Sequence, residues 1–109
     1  MKEELLIERL IDLAAQSSIA HHIPGRIRLK VKLPALFLAR DLEISDLVDC
    51  FSGILDARVN AGALSIVIGY DTGIIAPELW ERLVNGKNDP SHRESIREQL
   101  LRLVSPENR

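Results

Sequence analysis

The stretch His21–Leu33, HHIPGRIRLKVKL, brings metal-ligand and cationic side chains together. His21 and His22 offer imidazole nitrogens, which in the neutral form are good transition-metal ligands. Neighbours on an extended chain point to opposite faces, so each histidine would supply a single ligand. A site would need Cys50, His92, an acid, or the same histidine from a second chain to complete it. The plainer alternative is a polar start to a strand. From Arg26 onward basic and apolar residues alternate. Arg26, Arg28, Lys30 and Lys32 point one way, and Ile27, Leu29, Val31 and Leu33 the other. Cations about 7 Å apart on one strand face form a stripe suited to phosphate or to an acidic partner. They also suit a solvated sheet face that long basic side chains protect from unwanted pairing. The Pro24-Gly25-Arg26 step has backbone N–H groups to offer an anion, but lacks the glycine-rich loop and helix start of a phosphate site.

Elsewhere chemistry is sparse. Cys50, the one cysteine, cannot form an internal disulfide and sits beside Phe51, where it reads as a small core residue. No Ser-His-Asp, paired-carboxylate or metal-protease spacing stands out, so a non-catalytic protein is expected. Net charge is −2, so attraction to anions must be local rather than global. The aromatics Phe37, Phe51, Tyr70 and Trp80 do not interleave with the basic stripe. The stacking platform of RNA-binding sheets is therefore missing, and nucleic acid is not the expected partner.

The elements that must position these residues follow from periodicity. Residues 2–16 predict a helix: Leu6, Ile7, Leu10, Ile11, Leu13 and Ala14 recur at three- and four-residue spacing, and Ser17 and Ser18 end it. A half-buried strand starts at Arg26 and stops at Pro34. Residues 39–52 predict a second helix with Ile44, Leu47, Val48 and Phe51 inward, Asp41, Glu43, Asp46 and Asp49 outward, and Gly53 as its stop. LDARVNAG and LSIVIGYD predict a hairpin turning near Asn60 to Ala63, with Leu64, Ile66 and Ile68 inward. A third helix follows Pro77, with Leu79, Trp80, Leu83 and Val84 toward the core and Gly86 as its cap. Asp89 and Pro90 start a last helix with the stripe Ile96, Leu100, Leu103 and Val104.

The expected fold class is therefore α+β: a ferredoxin-like split βαβ core, β-α-β-β-α, with its fourth strand missing or replaced and an extra helix at each terminus. Residues 19–23 or another chain must supply that strand, or the first strand is left as an open edge. The expected organisation is an N-terminal amphipathic helix over 1–18, a core domain over 19–86, and a C-terminal helix and tail over 87–109. The terminal stripes need cover from the open sheet face, the vacant edge, another chain or the chain's own core. Of these, self-association as a homo-oligomer or docking is favoured. The acidic second helix beside a basic strand also allows like-with-unlike contact between copies. The start MKEELLIERL has no apolar signal core, and no apolar run approaches membrane-spanning length. A cytoplasmic protein without membrane insertion is expected.

Read together, HxxPGRIRLKV, GILDARVNAGALSIVIGYD and PELWERL resemble the heavy-metal-associated-like domains found at the N-termini of some metal-transporting P-type ATPases and as free-standing small bacterial proteins. The resemblance covers about residues 21–85 and rests on Pro24, Gly25, Arg26, Gly53, Ile54, Asn60, Tyr70 and Asp71. It implies a ferredoxin-like fold and an association with metal handling. The better-known members grip soft metals with a Cys-x-x-Cys pair in the loop after the first strand. Here that loop is LPALFLARD, without cysteine, so no cofactor is carried over. The leading expectation is an accessory protein-interaction domain in a metal-related bacterial system. The alternatives are metal binding through His21 and His22, and anion or nucleic-acid binding through Arg26, Arg28, Lys30 and Lys32.

Overall fold

Six apolar residues at helical spacing decide the start of the chain. In the computed structural model, which describes residues 2–32, 44–60, 62–85 and 90–104, they line helix α1, Lys2–Ala15. Leu6, Ile7, Leu10, Ile11, Leu13 and Ala14 are all buried. The helix closes when Gln16 N–H and the Ser17 hydroxyl both donate to the Leu13 carbonyl, at 3.1 and 2.7 Å. Ser17 does more than end the helix: it opens strand β1, Ser17–Ile23.

A tight turn follows. Pro24 presets its own φ and Gly25 adopts φ 93°, the pairing a type II turn demands. Strand β2, Arg26–Val31, then runs back antiparallel to β1. Its burial alternates at every residue, as its sequence predicts. Helix α2 covers Ile44–Cys50. Residues 39–43 of the expected second helix lie outside the described residues, with Asp41 and Glu43 among them. Strands β3, Ile54–Asn60, and β4, Ser65–Tyr70, form the expected hairpin, whose turn Asn60 supports by accepting Ala63 N–H at 3.1 Å. Helices α3, Pro77–Asn85, and α4, Pro90–Leu103, complete the chain.

The result is a mixed α+β fold with a four-stranded antiparallel sheet ordered β1-β2-β4-β3. β4 lies between β2 and β3 and antiparallel to both, so β2 and β3 run parallel, joined across β4. The fourth strand, expected to be missing or replaced, is supplied from within the chain: Ser17–Ile23, which contains the residues 19–23 offered for it, pairs with the first expected strand. Among the described residues the order is α-β-β-α-β-β-α-α. The segment SSIAHHI hides its strand character because a bulge between Ile19 and His21 breaks its alternation.

One sheet face carries the core: Ile27, Leu29, Val31, Ile66, Ile68 and Tyr70 meet the helices there. Leu79, Trp80, Leu83 and Val84 of α3 are buried as their spacing predicts, as are Ile96 and Leu100 of α4. The terminal helices pack on each other and on α3. Arg93 bridges Glu8 at 2.9 Å and Asp12 at 2.8 Å, and Arg97 also pairs with Glu8. Their apolar stripes are therefore covered within the chain. Residues from all three expected segments share a single core cluster. No described helix is long and apolar enough to cross a membrane.

Candidate functional site

The second sheet face is where the alternation of β2 delivers its cations. Register sets them in rows across the strands. Ile23, Arg26, Gly69 and Asp56 form one row; His21, Arg28, Val67 and Arg58 the next; Ser18, Lys30, Ser65 and Asn60 the third. Arg26, Arg28, Lys30 and Arg58 are all exposed. Lys30 Nζ donates to the Ala63 carbonyl at 3.3 Å, leaning toward the β3–β4 turn. Among the described residues Arg26, Arg28 and Arg58 have neither a hydrogen bond nor an ion pair from their side chains. The sequence-predicted stripe thus stands for three of its members. Lys32 lies beyond the end of β2, where its N–H reaches the Gln16 carbonyl at 3.4 Å. Arg58 joins the face from β3 and was missed. The signal was legible: in LDARVN, Arg58 alternates with the apolar Ala57 and Val59.

At one end of this face lies a groove of about 280 Å³, lined by Gly25, Arg26, Asp56, Arg58, Val67 and Gly69. Gly69 forms its floor. A Cβ there would lie 2.3 Å from Asp56 Oδ1, so the Asp56 carboxylate rests over the glycine. Two guanidinium groups and one carboxylate thereby share one depression. In the sequence Asp56 is one residue of the predicted hairpin segment LDARVNAG. Its place here comes from strand pairing.

The histidines separate. His21 is exposed on the basic face, while His22 points to the helix side. There His22 Nδ1 lies 2.5 Å from Glu81 Oε2 and Nε2 lies 2.6 Å from the Tyr70 hydroxyl. A carboxylate only accepts, so in the neutral imidazole Nδ1–H donates to Glu81 and Nε2 accepts from Tyr70. Burial pushes the Tyr70 phenol above its ordinary value, the charges of Glu78 and Glu81 add to that, and a hydrogen bond with the Gly25 backbone opposes it. The Tyr70 ring packs against Trp80 at 5.3 Å between centroids. With both ring nitrogens engaged, His22 would have to give up Tyr70 or Glu81 to take a metal ion. Among the described residues no group of three or more His, Cys, Asp or Glu is placed to hold one. Cys50 is buried in the core.

Comparison with protein-family models, with curated proteins and with solved structures finds no match for this chain.

Proposed function

We propose that this chain is a non-catalytic protein-interaction domain, ferredoxin-like in its sheet, that engages an acidic partner protein through its basic open face. The observation that carries this reading is the gathering of Arg26, Arg28, Lys30 and Arg58 on that face, with the three arginines unpaired among the described residues. Unpaired guanidinium groups on one flat surface raise the local concentration of anions and steer an acidic surface toward it. The ferredoxin-like assignment is supported by the strand order, a split βαβ with an antiparallel strand between its parallel pair. The likeness to heavy-metal-associated-like domains supports an accessory role in a metal-related bacterial system. Nucleic acid has less support, because Phe51, Tyr70 and Trp80 are buried and unavailable for stacking. Self-association loses the support lent by the terminal helices, whose stripes are covered inside the chain.

The test is binding of the full chain to labelled polyglutamate. Affinity falls steeply as salt rises from about 0.05 to 0.3 M, and Arg28→Glu with Lys30→Glu lowers it roughly tenfold or more. Salt-independent binding, or binding untouched by that double variant, would reject the reading.

A further inference from the structure

The basic face is not uniformly basic. Asp56 lines the groove together with Arg26 and Arg58, resting over Gly69, and among the described residues it has no ion pair with either arginine. A surface built only to collect anions gains nothing from a carboxylate in a depression that two arginines line. An acceptor beside two cationic donors reads a ligand that brings both an anion and an N–H. Successive groups of an extended acidic polypeptide do that. Its side-chain carboxylate and its backbone N–H lie within one residue of each other. A DNA strand brings continuous negative charge and no donor in its sugar-phosphate backbone, so Asp56 repels it.

We propose that the groove over Gly69 is a subsite for one acidic side chain of an extended protein segment, with Arg26 and Arg58 taking the carboxylate and Asp56 taking the neighbouring backbone N–H. Asp56 is then the residue that makes the face select acidic protein over polyphosphate. This deepens the proposed function and rests on it.

The probes are a labelled peptide of alternating Glu and Val, whose glutamates share one face when extended, and an oligothymidylate of matched charge, each titrated into the full chain. The native chain binds the peptide more tightly than the oligothymidylate. Arg26→Glu or Arg58→Glu weakens peptide binding about tenfold. Asp56→Asn, which keeps the shape but removes the charge, lowers the ratio of peptide to oligothymidylate affinity by about tenfold. An unchanged ratio in Asp56→Asn, or a native chain that prefers the oligothymidylate, overturns the proposal. If Arg28→Glu with Lys30→Glu weakens the peptide and Arg58→Glu does not, the subsite fails while the broader reading stands. If the native chain ignores the peptide, both fail.

Discussion

Tyr70 is the chain's one tyrosine, and its hydroxyl lies at the end of a hydrogen-bonded series from Glu81 through His22. The series ties three elements: β1, β4 and α3. Its members are far apart in sequence, with His22 and Tyr70 separated by 48 positions, so no motif announces it. What the sequence offered was each residue singly, His22 as a ligand candidate and Tyr70 as part of a resemblance. Because burial raises the phenol above its ordinary 10.0, the unfolded chain ionises first as pH rises. The contribution of Tyr70 to stability is therefore complete below about pH 10 and disappears as pH climbs through the folded value. Phenolate absorbance reports on this single residue. Its midpoint in the native chain should lie above that in denaturant; equal midpoints would contradict the assignment. Tyr70→Phe strips His22 Nε2 of its donor and should cost about 1–2 kcal/mol in urea unfolding.

Single backbone positions decide the geometry at the scale of elements. Without the bulge at Ala20, alternation from Ser18 would send His21 to the helices and His22 to solvent. With it, the two exchange places. The sequence argument that neighbours diverge holds, but which neighbour faces which way depends on one extra residue that no pattern marks. Gly53 and Gly69 differ in kind. Gly53 joins α2 to β3 at φ 94°, and a Cβ there would fall 2.8 Å from Ile74 Cγ2 and 2.9 Å from Ile75 Cγ1. Strain and overlap together should make Gly53→Ala cost about 2 kcal/mol or more. At Gly69 the obstacle is the tip of the Asp56 side chain, which can swing away. Gly69→Ala should therefore stay within about 1 kcal/mol of the native chain. Chemical denaturation of both variants checks the contrast. Similar losses would show that the two positions are under the same constraint. The role of Gly53 as a stop after a helix was legible in sequence. Its collision with Ile74 was not, because that contact is made across the fold.

For the whole molecule, the question is whether the terminal helices are additions or parts. Burying each of Leu6, Ile7, Leu10, Ile11 and Leu13 is worth about 1.5–3 kcal/mol, so α1 supplies roughly 10 kcal/mol of apolar burial in all. That matches the entire stability of a typical domain, about 5–15 kcal/mol. A chain trimmed to residues 19–86 should accordingly lose cooperative unfolding and bind a hydrophobic dye, as followed by circular dichroism and fluorescence. A trimmed chain that unfolds like the full one would show the helices to be accessory.

The sequence by itself determined what is local: the alternation of β2, the stripes of the helices, the Asn60 turn and the strand residues of the cation row. These depend on periods of 2 and 3.6, which each segment carries alone. The tertiary structure decided what is paired: that Ser17–Ile23 completes the sheet, that His22 meets Glu81 and Tyr70, that the terminal helices cover each other, and that Arg58 and Asp56 join Arg26 around Gly69. Strand order and register arise from contacts between distant segments, and a one-residue bulge is enough to redirect every side chain beyond it.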